Sequence, residues 1–134
     1  MAFTRAKASS ILQREITSTV YIGLHNGASA PTETGNGFSE PGSGTGYERA
    51  QFGTVDTTKQ AQVANSAIIF FNETLGSGYG TVTHFGLFNS KSDTVPFFVG
   101  ELTSPMTVGA GFVPIFRARH LVIGLDKGAL ESYV

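Results

Sequence analysis

Glycine-rich turns separate short apolar segments along most of this chain, and this spacing strongly limits the folds available to it. The 134 residues include 17 glycines and 11 phenylalanines, whereas tryptophan and cysteine are absent. Short segments rich in Phe, Val, Ile and Thr between Gly and Pro turns are typical of β-strands. Without cysteine there are no disulfides or thiolate metal sites, so packing and hydrogen bonds must stabilise the fold.

Six segments have the composition or alternation expected of strands. The segment 63–71 is nearly continuous in apolar residues at its end, which predicts a central strand buried on both faces. Pro96 predicts an edge strand or the start of a strand, because proline donates no ladder hydrogen bond. The last segment is either one long strand or two strands with a bulge. The predicted strands are 17–24, 47–55, 63–71, 81–89, 95–102 and 112–125.

Residues 4–16 are the best candidate for a helix. Four apolar residues recur there at intervals of three and four, which places them on one helical face, and Thr4 is a suitable N-cap. This helix either packs on its own sheet or reaches into a neighbouring subunit. The four apolar residues are Ala8, Ile11, Leu12 and Ile16.

The longest connection runs from residue 25 to residue 46 and contains two prolines and six glycines. It shows no apolar periodicity. Long irregular loops in compact domains are often functional or ordered only by a partner. We therefore predict that 25–46 is a contact arm, and we expect a second arm at the C-terminus, over 126–134.

These patterns predict one mainly β domain over residues 1–134. We expect an antiparallel β-sandwich or a partly open barrel with one short N-terminal helix. A chain of this length has the common size of a single domain, and it can bury one core.

The charge of the chain limits its partners. Only 14% of the residues are charged and the formal net charge is −1. Surfaces this poor in charge are usually covered by other protein, and without a basic surplus we expect no nucleic-acid partner. No run of 18 apolar residues and no signal-peptide pattern occur, so we expect no membrane partner and synthesis in a cytoplasm.

No arrangement of residues predicts catalysis, a cofactor or a metal. The three histidines, His25, His84 and His120, are scattered, and no nucleophile elbow or phosphate loop is present. A pair of acids such as Glu48 with Glu101 is left open, because glycosidase pairs form in space rather than in sequence. We therefore predict a protein that is not an enzyme.

Contact candidates come from the helix, the loops and the outer faces of the strands. Arg117 and Arg119 stand two apart in a predicted strand, so they share a face that is either solvated or paired with acids of a partner. Tyrosine is enriched in interfaces because it gives contact area at low entropic cost. The predicted contact residues are Ile11, Leu12, Tyr21, Phe38, Tyr47, Arg49, Arg117, Arg119 and Tyr133.

Three stretches resemble a family of small structural proteins of tailed-phage virions, over roughly residues 8–125. The first joins YIGLHNG to GTGYERAQF, the second joins NSAIIF to YGTVTHFGLFNS, and the third is FFVGELTSPMTVGAGFVPIF. The most specific pieces are Gly80–Phe88 and Glu101–Pro105. One departure is the C-terminal DKGALESYV, which is longer than the family pattern.

The resemblance implies a structural protein of the virion, made in the cytoplasm of the host bacterium. Our leading expectation is a capsid decoration, or cement, protein that binds the major capsid protein and copies of itself as a dimer or trimer. The alternative is a tail-fibre or baseplate component, either for attachment or for receptor binding, with tail proteins as partners. A third reading, from another class, is a carbohydrate-binding or hydrolytic β domain.

Overall fold

The structure is a computed structural model that describes residues 4–17, 19–32, 34–58 and 62–124. These residues form one helix and nine strands. In chain order they are α1 (Arg5–Glu15), β1 (Tyr21–His25), β2 (Ala50–Gln51), β3 (Val55–Asp56), β4 (Gln62–Asn65), β5 (Ile69–Phe70), β6 (Gly80–Phe88), β7 (Phe98–Val108), β8 (Ile115–Phe116) and β9 (Val122–Gly124).

The chain folds into two compact units. Unit 1 takes its described residues from 4–19, 52–69 and 116–124, and unit 2 takes them from 20–51 and 70–115. The short strands β5 and β8 form a two-stranded ladder. The predicted single domain over 1–134 stays a prediction.

The predicted N-terminal helix is confirmed as α1, in unit 1. The Thr4 hydroxyl caps it by accepting a hydrogen bond from the Lys7 amide at 3.2 Å. Ala8 and Leu12 are buried, as is Ile16 just beyond the last turn. The helix packs against β4 of the same unit, which is the first of the two placements expected from its sequence.

Unit 2 contains an antiparallel sheet in the order β2-β1-β6-β7. Val20, Ile22 and Leu24 are almost fully buried, as their alternation predicts. The register of β1 against β6 places Gly23 directly opposite Gly86 in the middle of the sheet. Two adjacent positions without side chains leave a shallow hollow there, and loop residues occupy it.

One of the two edge strands of this sheet is β7, as Pro96 indicated, but it begins two residues after that proline and extends to Val108. Val82 of β6 pairs with Met106, whereas His84 pairs with Glu101. Residues 102–105 therefore all lie opposite Thr83. A bulge of this kind breaks the regular ladder on an edge strand, which makes the pairing of another strand there unfavourable.

Unit 1 contains the antiparallel sheet β3-β4-β9, with β4 at its centre. Asn65, the last residue of β4, is fully buried, and its side chain forms hydrogen bonds with backbone groups at both ends of the turn that follows β8. The Asn65 side chain donates to the carbonyls of Ala67, at 2.9 Å, and Arg117, at 2.8 Å. It accepts from the Leu121 amide at 3.0 Å, so one amide side chain fixes the path of the chain into β9.

The predicted fold class is confirmed. The chain is mainly β, with antiparallel sheets and one N-terminal helix. The sheets formed by the residues that the structure describes are open, and none of them closes into a barrel.

Two of the predicted strands are broken in the structure. The segment 47–55 contributes β2 and the first residue of β3, which belong to different sheets. The segment 63–71 turns at Ser66 and Ala67 and resumes as β5. Phe70 is 64% exposed, so the prediction of one strand buried on both faces is wrong over its second half.

Arg117 and Arg119 do not share a strand face, contrary to the sequence prediction. The predicted strand 112–125 forms only β8 and β9, and both arginines lie in the turn between them. Arg119 has a φ of 66°, a left-handed conformation that the turn imposes. Its guanidinium forms an ion pair with Asp56 of the same unit at 2.8 Å.

The Asn65 contacts predict a large loss of stability on truncation. Asn65→Ala removes the hydrogen bonds that a fully buried side chain makes to backbone groups of Ala67, Phe116, Arg117 and Leu121. We expect the free energy of unfolding, measured by urea denaturation, to fall by about 3 kcal/mol. Asn72→Ala is the control, because the exposed Asn72 makes one bond, to the Gly46 carbonyl at 3.0 Å. Equal losses in the two variants would contradict the assignment.

Candidate functional site

Unit 2 contains a shallow polar cleft with a volume of about 340 Å³. One side of the cleft comes from the loop after β1, another from the residues just before β2, and a third from the connection between β6 and β7. The cleft is lined by Glu40, Pro41, Tyr47, Glu48, Arg49 and Lys91.

Arg49 and Glu40 form a two-pronged ion pair at the base of this cleft. Arg49 Nη2 lies 2.8 Å from Glu40 Oε1, and Arg49 Nε lies 3.1 Å from Oε2. The same guanidinium donates to the carbonyls of Ser90 at 3.0 Å and Asp93 at 2.6 Å. Its planar face covers the Phe88 ring, 3.5 Å from the centroid. These bonds join the loop after β1 to the connection between β6 and β7. The arginine side chain is only 10% exposed, so they lie in a largely water-free environment.

Tyr47 joins the ion pair of Arg49 and Glu40 to the sheet. Its hydroxyl donates to Glu40 Oε2 and accepts from the amide of Leu24 at 3.0 Å. Its ring stacks on Phe71 and meets Tyr79 edge to face. Burial raises the pKa of Tyr47 well above its ordinary value of 10, and the neighbouring Glu40 raises it further. Tyr47 is therefore a neutral hydrogen-bond donor at any physiological pH.

Glycine at position 23 is what allows these side chains to reach the sheet. A Cβ atom on Gly23 would lie 2.8 Å from Glu40 Oε2, 2.8 Å from Phe88 Cε1 and 3.1 Å from the Tyr47 hydroxyl. Opposite, a Cβ on Gly86 would lie 2.9 Å from the Phe38 ring. The hollow at the paired glycines is thus filled by residues of the loop after β1.

We call Glu40, Tyr47 and Arg49 the clamp. The carboxylate of Glu40 accepts three hydrogen bonds from the other two members, and Arg49 directs its remaining bonds to backbone carbonyls. Charge-assisted hydrogen bonds of this kind, two of them from one guanidinium, are stronger than neutral ones and fix the orientation of the carboxylate. The arrangement fastens the loop after β1 onto the sheet.

His25 holds the other end of the same loop. It is fully buried, with Nδ1 accepting from the Ser39 amide at 2.8 Å and Nε2 lying 2.9 Å from the Ser29 carbonyl. A carbonyl only accepts, so Nε2 carries the proton and the imidazole bridges two points of the loop. The described parts of 25–46 contain no helix or strand beyond His25, as predicted, yet contacts within their own unit order them.

A second feature of unit 2 is an exposed apolar ribbon, formed by residues 70–75 and 109–115. The Phe71 amide donates to the Pro114 carbonyl at 3.0 Å, the Thr74 amide to Phe112 at 2.9 Å, and the Gly111 amide to Thr74 at 3.0 Å. Its outward side chains are large and largely exposed: Phe70 64%, Leu75 57%, Phe112 67%, Val113 47% and Ile115 38%.

Sequence reasoning missed this ribbon. The signal in the sequence was the two apolar runs at 69–71 and 112–116, which lie within the predicted strands 63–71 and 112–125. Exposed apolar residues grouped on one structural element are typical of surfaces that contact other protein. The ribbon is therefore the stronger of the two candidate interaction surfaces, and the cleft the weaker.

The predicted contact residues lie in different environments. On α1, Leu12 is buried and Ile11 half-buried. In unit 2, Phe38 packs against Phe88 and His25, while Tyr47 and Arg49 belong to the clamp. Leu12 is buried within its own unit, and Phe38, Tyr47 and Arg49 make contacts within theirs, whereas Ile11 is partly accessible; contact with a partner stays a prediction for all five residues.

The remaining candidates are at the surface or outside the described residues. The ring of Tyr21 is half-buried, with Lys91 Nζ 5.8 Å from its centroid. Arg117 is exposed, and Arg119 pairs with Asp56. Tyr133 and the predicted arm 126–134 lie outside the described residues.

A search of the described residues for three or more His, Cys, Asp or Glu side chains able to share a metal ion finds no such group. No helix among those residues combines the length and apolar character needed to cross a membrane.

Comparison with known proteins identifies the class of this chain as a phage virion structural protein with tail-fibre-like character. Residues 13–124 match the family described as "Podophage GP4 fiber I protein gp80", and the chain belongs to that family. The resemblance stated from the sequence motifs is thereby confirmed. No curated protein matches the chain.

The contacts at Gly23 predict that even one methyl group there is harmful. Gly23→Ala forces Glu40 and Tyr47 away from the sheet, and we expect the free energy of unfolding to fall by about 2 kcal/mol. Gly42→Ala is the matched control, because a Cβ there meets nothing within 4 Å. Urea denaturation of both variants measures the difference, and a Gly23→Ala protein as stable as Gly42→Ala would refute the close approach.

The raised pKa of Tyr47 predicts a loss of stability in alkali. As the pH rises above about 10, the hydroxyl ionises in the unfolded chain but stays neutral in the fold, so the free energy of unfolding falls by about 1.4 kcal/mol per pH unit. Tyr47→Phe lacks this group. We therefore expect it to be less stable than the wild type near neutral pH, with the gap narrowing as the pH rises.

Urea denaturation of the wild type and Tyr47→Phe from about pH 8 to about pH 11.5 tests this expectation across the range in which a free tyrosine titrates. Tyr79, whose pKa is also raised by burial, is present in both proteins and does not affect the comparison. A constant gap between the two curves would contradict the assignment.

Proposed function

We propose that this chain is a non-enzymatic structural subunit of the phage tail, located in a fibre or at its attachment site. Two lines of support meet here. The family is that of a podophage fibre protein, and it matches 13–124. The observation that carries the proposal is the apolar ribbon, which presents large side chains from a hydrogen-bonded scaffold, as a subunit that packs against other protein requires.

The clamp supports the non-enzymatic part of the proposal. A general acid or base needs an ionisable group that is free to exchange a proton with a substrate. In the cleft, Glu40 is held by Arg49 and Tyr47, and the more exposed Glu48 lies 3.7 Å from Lys91. The two carboxylates thus act in fixing loops, and we propose tail proteins and copies of this chain as the partners.

A second candidate is the capsid decoration protein expected from the sequence. Its support is the small charged fraction, 14%, together with a chain of 134 residues that contains no coiled-coil heptads to form a fibre shaft. In that role the ribbon contacts the major capsid protein instead of a tail protein. The two candidates differ in the number of copies and in their location on the particle.

Quantitative mass spectrometry of purified virions, with immunogold labelling, separates these candidates. We expect labelling at the tail and roughly a dozen copies per particle, a number set by the symmetry of the tail. Labelling over the whole head, with on the order of hundreds of copies, would overturn the tail assignment in favour of capsid decoration.

The same assay tests the ribbon. Phages that carry Phe112→Ser should incorporate markedly less of the protein, because the substitution removes the most exposed phenylalanine of the ribbon. Phe97→Ser is the matched control, since Phe97 is 40% exposed in unit 2 but lies outside the ribbon. Equal incorporation of both variants would remove the ribbon from the proposal.

A further inference from the structure

Charge is distributed unequally between the two units. The described residues of unit 1 include five basic and two acidic side chains, whereas those of unit 2 include two basic and five acidic ones. The described residues of unit 1 are therefore net +3 and those of unit 2 net −3. The near-neutral total of the chain conceals two units of opposite sign.

Pairing within each unit increases this contrast. In unit 2 both cations are used internally, since Arg49 pairs with Glu40 at 2.8 Å and Lys91 with Glu48 at 3.7 Å. In unit 1 the ion pair of Arg119 with Asp56 removes one charge of each sign. Of the charged side chains that have no ion pair within the described part of the chain, those in unit 1 are four basic ones and one acidic one, Glu15, whereas all those in unit 2 are acidic. The basic ones are Arg5, Lys7, Arg14 and Arg117, and the acidic ones of unit 2 are Glu73, Asp93 and Glu101.

The outer face of α1 concentrates the positive charge. Lys7, Ser10 and Arg14 recur at intervals of three and four residues, so they lie along one side of the helix over roughly 10 Å. All three are exposed, and the half-buried Ile11 adjoins them. Ala8 and Leu12 are buried on the other side. The helix thus presents a basic strip flanked by Ile11, and the exposed Glu15 follows Ile11 by one turn on that flank, at the end of the helix.

The apolar ribbon carries the complementary chemistry. Glu73 is exposed and lies between Phe70 and Leu75 along the chain. The Asp93 carboxylate, by contrast, accepts from Ser90 Oγ at 2.9 Å and from the Asn89 amide at 3.1 Å within its own loop. Glu73 is therefore the available acid that belongs to the exposed apolar surface.

We propose that copies of this chain associate head to tail, with the outer face of α1 from one copy docking on the apolar ribbon of the next. Lys7 and Arg14 then face Glu73, while Ile11 contacts the exposed ring of Phe112. A second copy is the occupant that fits, because each chain carries both members of the charge-complementary pair. The inference goes beyond the virion location proposed above and does not depend on it.

Contacts of this kind are heterologous: the two surfaces that meet are different. Such contacts produce a ring when the rotation between copies closes, and a filament when it does not. A modest contact repeated around a ring gives a stable assembly through its closure. Electrostatic contacts at the rim of an interface also weaken in salt, so the association has a measurable signature.

Sedimentation velocity of the purified chain, over a range of protein and salt concentrations, tests the proposal. We expect association that grows with protein concentration and weakens with salt. Glu73→Lys makes the ribbon basic, and Lys7→Glu with Arg14→Glu makes the helix acidic. Each variant alone should associate at least about tenfold more weakly than the wild type. All the substituted side chains are exposed, and unchanged urea midpoints will establish that each variant is folded.

Mixing the two variants is the decisive measurement. In a mixture the unaltered helix of Glu73→Lys meets the unaltered ribbon of the double variant, and the two altered surfaces are complementary to each other, so association should return. Glu101→Lys is the matched control, with the same charge change on an exposed acid outside the ribbon, and it should associate like the wild type. A wild-type chain that stays monomeric, or a mixture that does not recover, would overturn the proposal.

Discussion

The close approach of the loop after β1 to the sheet of unit 2 is the contact on which the rest of that unit depends. The paired glycines, Gly23 and Gly86, leave a hollow in the sheet, and Phe38, Glu40 and Tyr47 occupy it. Glu40 is half-buried there and needs a partner for its charge, because removing an unpaired carboxylate from water is costly. Arg49 supplies that partner, and it also binds the connection between β6 and β7 through Ser90 and Asp93.

The clamp also determines which surfaces of unit 2 are available for binding. Most of the donors and acceptors of Glu40, Tyr47 and Arg49 are used internally, so the cleft has little left to offer a ligand. The apolar ribbon is different, because its backbone is hydrogen-bonded and its large side chains still point outward. An ordered scaffold with an exposed apolar surface is suited to packing against protein, in agreement with a family of phage structural proteins.

Predictions from local sequence patterns were confirmed where a single local interaction determines the structure. The Thr4 cap and the apolar spacing gave the helix, and alternation placed Val20, Ile22 and Leu24 in the core. The prediction of a strand buried on both faces was wrong at Phe70, because residue type alone does not distinguish an apolar side chain in a core from one on an exposed ribbon. The clamp could not be predicted from the sequence, because only the fold brings Arg49 into contact with Glu40, Ser90 and Asp93.

The sequence by itself determined the mainly β fold class, the N-terminal helix, the framework strand Gly80–Phe88 and the motifs that identify the family, since these depend on local spacing and residue type. Only the tertiary structure decided that Gly23 lies opposite Gly86, that the long loop is fastened by the clamp and His25, and that unit 1 and unit 2 carry opposite charge. Each of these depends on contacts between residues distant in the chain, and no local pattern encodes which distant residues will meet.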